Sequence, residues 1–219
     1  MTYFTACFLV SLFATLFIMR SAVRHRHLSA DHDLSGPQKF HGRPVPRIGG
    51  AGVMIGLVAG AIVAQVSGSN SAAALWTLLV CTVPAFGSGI AEDLTKKVTP
   101  RWRLLATAVS AALATWLLEG VIQRTHIPGL DLLIPWYPFA VALTLFVVAG
   151  VANAVNIIDG FNGLASMCVF MMILAMAYVA FQVGDTFVFT ACLITAGAIL
   201  GFFVWNFPAG LIFLGDGGA

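Results

Sequence analysis

Apolar residues in this chain run in long unbroken blocks, without the short alternation of half-buried helices and strands. A bilayer-spanning helix needs about 20 mainly apolar residues, and the pattern predicts seven. Residues 2–19 make the first. Residues 48–91 hold no charged side chain and leave room for two more, separated by the turn-forming Ser67-Gly68-Ser69-Asn70-Ser71. A fourth is expected from about Leu104 to Leu118. Pro128, Pro135 and Pro138 mark a loop and the start of a fifth, which ends near Ala152. A sixth covers roughly 164–182, turned by Gly184-Asp185, and a seventh runs over roughly 186–204, ending at Trp205-Asn206-Phe207-Pro208. The expected fold is all-α: a polytopic transmembrane helical bundle forming one integral membrane domain over residues 1–219, with its N-terminus outside.

Composition supports the same class. The chain is 59% hydrophobic and 9% charged, with a mean hydropathy of +0.94, whereas soluble domains carry about 25% charged residues. A water-soluble fold of this size has no way to hide so much apolar surface, so lipid must be the solvent for most of it. The first segment, Met1 to Met19, lacks a basic leader and a small-residue cleavage site, and reads as a retained helix rather than a signal peptide.

Charge orients the bundle. Ten of the eleven Lys and Arg residues fall in two clusters, 20–47 and 96–103. By the positive-inside rule these are cytoplasmic. Seven spans then place loops 20–47, 92–103, 153–163 and 206–219 on the cytoplasmic side. Loops 67–71, 120–136 and 183–185 lie opposite, with Arg124 their single basic residue. Span counting and charge agree. The basic clusters carry no interleaved aromatic platform, which argues against nucleic acid as a partner. Cys7, Cys81, Cys168 and Cys192 lie singly in apolar runs with no metal-ligand spacing and read as small buried residues. Gly52, Gly56 and Gly60, with Gly197 and Gly201, form small-residue stripes suited to close helix packing. Trp102, Trp136, Tyr137 and Trp205 are expected as interfacial anchors.

The candidate chemistry is acidic. Glu92, Asp93, Asp159 and Asp216 each abut the end of an apolar run on the cytoplasmic side. A partly desolvated carboxylate there needs a cation. Four of them, from three loops, point to a bound cation with a phosphate-bearing substrate. Mg²⁺ fits best, because it takes oxygen ligands and keeps positions open for phosphate and water; Mn²⁺ is a substitute. Any one of these acids alone is an ordinary solvated loop carboxylate.

Glu92-Asp93 precedes Lys96 and Lys97, which are placed to neutralise phosphate; adjacent carboxylates can share a metal or one proton. Asn153, Asn156 and Asp159 lie at three-residue spacing and share a helix face, and Gly160 and Gly163 permit close backbone approach to a ligand. Asp216 sits between Gly215 and Gly217, a carboxylate presented by a tight turn as a metal ligand. In the loop around Pro44 and Pro46, Lys39, Arg43 and Arg47 are candidate phosphate clamps and His41 a candidate donor. Arg20, Arg24 and Arg26 read as orienting charge, and His25, His27 and His32 as solvated.

These four loops, in this order and on one side, resemble the polyprenyl-phosphate N-acetylhexosamine-1-phosphate transferases, glycosyltransferase family 4. The family includes the enzymes that start O-antigen and teichoic-acid assembly and phospho-N-acetylmuramoyl-pentapeptide transferase. The resemblance covers about residues 36 to 219. It is nearer the N-acetylglucosamine-type branch, judged by His41 before Pro44-Val45-Pro46-Arg47-Ile48-Gly49-Gly50 and by Asn153 through Leu164. It implies transfer of a sugar-1-phosphate from a UDP-N-acetylhexosamine to undecaprenyl phosphate, releasing UMP, at the cytoplasmic face of a bacterial inner membrane. It also implies catalytic roles for Glu92, Asp93 and Asp159, metal ligation by Asp93 and Asp216, and substrate binding by Lys96, Asn153 and Asn156, with Lys39, His41 and Arg47 beside them. Expected partners are undecaprenyl phosphate, the UDP-sugar, the bilayer and a second copy in a homodimer.

The sequence departs from the family pattern in three ways. Glu92 replaces the usual first aspartate, lengthening the arm. Asn162 stands where a second aspartate often stands. The family's late histidine-rich loop has no counterpart before Ala219, so the chain is expected to be the N-terminal part of a longer transferase, inactive when expressed alone. The alternatives are a non-catalytic membrane fragment or a polytopic transporter; a transporter would usually place ionisable groups near the middle of its spans.

Overall fold

In the computed structural model, residues 1–24 and 45–218 are described. They form seven long helices: α1 (Thr2–Arg24), α2 (Gly49–Val66), α3 (Ala72–Thr95), α4 (Pro100–Leu117), α5 (Tyr137–Ile158), α6 (Leu164–Val183) and α7 (Thr186–Asn206). A single 3₁₀ turn, Leu130–Leu132, lies in the α4–α5 connection. Six of these helices, all but α4, are long and apolar enough to cross a membrane. α4 carries Arg101 and Arg103 in its first turn, which lowers its hydropathy. Its 18 residues still reach about 27 Å at 1.5 Å per residue. It packs between α3 and α5 along the bundle. The chain is a multi-pass helical membrane protein.

The tightest packing joins α1, α2 and α7, and the glycine stripes explain it. A Cβ added at Gly56 would lie 2.9 Å from the Ser11 side chain, and one at Gly60 2.7 Å from Cys7 Sγ. On α7, a Cβ at Gly197 would lie 2.4 Å from the Phe4 carbonyl oxygen and one at Gly201 2.5 Å from that of Phe8. α1 is therefore held between two glycine faces, where dispersion contacts replace the hydrophobic effect that lipid does not supply. The Ser11 hydroxyl donates to the Ala198 carbonyl at 2.7 Å. Trp205, expected as an interfacial anchor, turns inwards and donates its indole N–H to the Leu12 carbonyl at 2.9 Å. Trp102, Trp136 and Tyr137 are exposed, as anchors require.

Two expected loops are shorter than their charge patterns suggested. α3 continues to Thr95, so Glu92 and Asp93 lie in its last turns, and Lys96 ends it in the left-handed conformation (φ 56°). Pro100 starts α4 at the position where its missing N–H costs nothing. α5 continues to Ile158, so Asn153 and Asn156 are helical. Inside α3, Pro84 interrupts the backbone ladder, and the following Ala85 N–H donates to Ser110 Oγ of α4 at 3.0 Å. That bond ties the acid-bearing end of α3 to α4.

Candidate active site

The site is organised by the segment after α7. Residues 213–218 thread between the N-terminus of α2 and the last turns of α3. Phe213 N–H donates to the Pro46 carbonyl at 2.9 Å, Gly49 N–H to that of Phe213 at 2.9 Å, and Gly50 N–H to that of Leu214 at 2.7 Å. A Cβ at Gly89 would lie 2.2 Å from the Asp216 carbonyl oxygen, and one at Gly50 2.3 Å from Gly218 N. Glycines at these crossings let the backbone pass where any side chain would block it.

Two buried carboxylates hold this segment. Asp93, 2% exposed, accepts from Asp216 N–H at 3.0 Å with one oxygen and from Gly217 N–H at 2.9 Å with the other. Asp159, 4% exposed, accepts from Gly215 N–H at 2.9 Å. Burial pushes the Asp159 carboxyl up to about 7; the Gly215 N–H and the charge of Arg47 oppose the rise, while Asp93 and Asp216 add to it. The result is a turn, Gly215–Gly218, closed by Gly218 N–H on the Gly215 carbonyl at 3.1 Å. It presents the Asp216 side chain outwards.

Asp216 faces a cleft of about 240 Å³. Its carboxylate accepts from Asn156 Nδ2 and pairs with the Arg103 guanidinium. Asn153 lies on the same wall. Deeper in, the cleft becomes apolar, walled by Met54, Leu57, Phe86 and Leu104 between α2, α3, α4 and α5. A charged mouth leads to an apolar interior.

The residues singled out from the sequence separate into groups. Asp93, Asp159, Asp216 and Asn156 come together, with Asn153 and Arg47 at the edge. Glu92 and Asp93 do not act as a pair: the Glu92 carboxylate accepts from Val98 N–H at 2.7 Å and braces the α3–α4 turn. Lys96 caps α3 and is exposed. Lys39 and His41 lie outside the described residues. Asn162, where an aspartate was expected from the family pattern, donates to the Pro208 carbonyl at 3.1 Å.

Two residues escaped the sequence reading. In the sequence Arg103 reads only as orienting charge; its place one turn into α4 is the available signal. Asn206 reads in the sequence as a helix end. It is 1% exposed, accepts from Gly163 N–H at 2.6 Å and donates to the Ile212 carbonyl at 2.8 Å. It joins the turn after Asp159 to the strand of chain that leads to Asp216.

The donor set bears on a cation. Among the described residues, no three His, Cys, Asp or Glu side chains converge on one point as a metal cage. Both Asp93 oxygens face backbone N–H groups. The mouth offers the Asp216 carboxylate and the Asn153 and Asn156 amides, all hard oxygen donors. This fits Mg²⁺, which binds through one or two carboxylates and completes its shell with water and substrate phosphate.

A helical membrane protein that gathers Asp93, Asp159 and Asp216 at one end, over a cleft running into the apolar layer, carries a polar site there. The chain belongs to glycosyl transferase family 4, whose sequence profile matches residues 75–219. It is 34% identical over 119 residues to phospho-N-acetylmuramoyl-pentapeptide-transferase of Streptococcus thermophilus, covering 54% of this chain and 35% of that protein. It is 29% identical over 199 residues to the same-named protein of Staphylococcus carnosus, covering 84% and 61%. It is 27% identical over 212 residues to a probable undecaprenyl-phosphate N-acetylglucosaminyl 1-phosphate transferase of Bacillus subtilis, covering 97% and 58%. The chain thus spans between about a third and three fifths of the length of these relatives.

Proposed function

We propose that this chain carries the lipid-facing part of the active site of a sugar-1-phosphate transferase. The reaction moves N-acetylhexosamine-1-phosphate from a UDP-sugar to undecaprenyl phosphate, at the cytoplasmic face of a bacterial inner membrane, as the first step of a cell-envelope glycan. The observation that carries this reading is the Asp216 carboxylate at the mouth of a cleft whose interior is apolar, on a turn whose backbone N–H groups are held by buried Asp93 and Asp159. Such a cleft suits a molecule with a phosphate head and a hydrocarbon tail.

In the reaction, an oxygen of the acceptor phosphate attacks the β-phosphorus of the UDP-sugar. The new P–O bond forms as the bond to UMP breaks, and UMP leaves with the electron pair. Bound at Asp216, Mg²⁺ would neutralise phosphate charge, and it would be held there with Asn153 or Asn156. The chain's own residues do the rest. Arg103 gives up its pairing with Asp216 to meet a phosphate oxygen. Asp93 and Asp159 fix the turn. Arg47, Lys96 and Lys39 supply positive charge for the diphosphate, and His41 donates a hydrogen bond to it. Catalysis is then positioning and charge neutralisation.

The test uses membranes from cells expressing the complete gene, with residues 1–219 alone as an inactive comparison, radiolabelled UDP-N-acetylglucosamine and undecaprenyl phosphate, and scores lipid-linked sugar together with UMP. The reading expects both products in equal amounts, dependent on added Mg²⁺ and absent in Asp216→Asn. Sugar transfer with release of UDP would overturn it.

A further inference from the structure

The far end of the bundle, opposite Asp216, holds a second and larger cavity of about 840 Å³. It lies between the last turn of α4, the 118–136 connection and the first turn of α5. Its floor is formed by the buried Thr115, Ile134 and Ala140, and its rim carries the exposed Trp116, Glu119 and Arg124.

The connection that builds it is ordered from within. The Asp131 carboxylate accepts from Thr125 N–H at 2.7 Å, the Thr125 hydroxyl at 2.5 Å and His126 N–H at 2.9 Å. Those donors hold its carboxyl below the usual range. Ile122 N–H donates to Thr144 Oγ1 of α5 at 3.0 Å. Glu119 and His126 both adopt left-handed backbone, φ 53° and 59°, a conformation non-glycine residues rarely take unless the surroundings impose it.

Against this, Glu119 and Arg124 stand out. Asp131 is saturated by the loop; the side chains of Glu119 and Arg124 have no hydrogen-bond or ion-pair partner among the described residues. Arg124 is also the one basic residue that charge patterning leaves on this face, where arginine is disfavoured. An unpaired cation and an unpaired anion rim a preformed cavity with a buried floor, flanked by the exposed Trp116, Trp136 and Tyr137 that mark a membrane–water boundary. Its volume lies within the range of ligand sites, about 300–1,000 Å³.

We infer that this cavity is a headgroup site for an amine-bearing phospholipid of the leaflet facing away from the Asp216 end. Arg124 takes the phosphate, Glu119 the ammonium, and the rings of Trp116 and Tyr137 the glycerol and the first methylenes. The site is independent of the transferase reading, because none of its residues touches the cleft at Asp216.

The test is thermal unfolding of the purified, delipidated protein in detergent, with added dioleoyl-phosphatidylethanolamine, dioleoyl-phosphatidylglycerol or water-soluble O-phosphoethanolamine. The expected result is a rise of several degrees with phosphatidylethanolamine, a smaller one with phosphatidylglycerol and none with O-phosphoethanolamine. Arg124→Gln abolishes both lipid shifts. Glu119→Gln leaves a shift but makes the two lipids equivalent. Both positions are exposed, so the variants should fold, and unshifted circular dichroism checks that they do. An equal response to the two lipids in the parent protein, an undiminished shift in Arg124→Gln, or a full shift with O-phosphoethanolamine would each overturn the proposal.

Discussion

Asp93 receives the backbone N–H of Asp216 across 123 positions of sequence, at 3.0 Å, and the next N–H at 2.9 Å. A helix-end carboxylate is thereby the receptor for a turn that displays another carboxylate. Replacing it separates these roles. Asp93→Asn keeps one acceptor but turns an NH₂ group towards an N–H donor. Leaving one buried donor unpaired costs about 1–3 kcal/mol. The variant is expected to lose stability by that amount and transferase activity by more than tenfold, read by thermal unfolding and by lipid-linked sugar. A variant with parental stability and activity would show that the turn does not need Asp93.

Asp159 makes stability depend on pH. Its folded-state pKa is raised to about 7, above the usual carboxyl value of about 4. The folded chain then holds the proton more tightly than the unfolded one, so stability is greatest at low pH and falls as pH rises from about 4 to about 7. Asp159→Asn removes this titration and retains an acceptor for Gly215 N–H. In metal-free buffer it should unfold at a higher temperature than the parent at pH 8, with the difference vanishing near pH 4. Parallel melting curves across that range would contradict the assignment.

Asn206 bridges two segments of the site with one amide. Asn206→Leu removes both bonds and leaves the Gly163 N–H and the Ile212 carbonyl buried. The expected cost is about 2–6 kcal/mol, at roughly 1–3 kcal/mol per stranded group. Asn206→Asp, which keeps the acceptor but sets an oxygen against the Ile212 carbonyl, should be intermediate. Urea or thermal unfolding reads the order, and equal melting of all three proteins would refute it.

Arg103 pairs with the Asp216 carboxylate. Arg103→Gln should tighten Mn²⁺ binding, followed by electron paramagnetic resonance, by at least about twofold, because the ion pair it removes is partly buried. The same change should raise KM for the phosphate substrates. Weaker Mn²⁺ binding in the variant would place the cation away from Asp216.

The glycine faces give a stability test that needs no activity. Gly201→Ala would set its Cβ 2.5 Å from the Phe8 carbonyl oxygen and 2.8 Å from Leu12 N, forcing α1 and α7 apart at a cost of about 1–3 kcal/mol. Gly87→Ala, in α3 with nothing within 4 Å of its Cβ, should instead be neutral or gain up to about 1 kcal/mol.

The seven helices and the side on which the acids gather were legible in the chain, because both follow from sums over neighbouring residues. Apolar run length sets what crosses lipid, and basic residues at the run ends set orientation. Gly52, Gly56 and Gly60 could likewise be read as a packing face, since their spacing is helical. At 92–103 and 153–163 the structure gives shorter loops than hydropathy predicts, because charge at a helix end looks like a loop when hydropathy is the measure. The bond from Asn156 to Asp216 was half visible: the face was legible, the partner 60 positions later was not.

Sequence alone therefore determined a membrane bundle with Asp93, Asp159 and Asp216 at one end. Only the tertiary structure decided that Asp93 and Asp159 hold a turn while Asp216 faces the cleft, that Glu92 braces a different loop, and that Arg103 and Asn206 belong to the site. Hydropathy is additive along the chain. Hydrogen bonds between segments more than a hundred residues apart depend on how the helices are rotated and aligned against one another, and that is settled by packing.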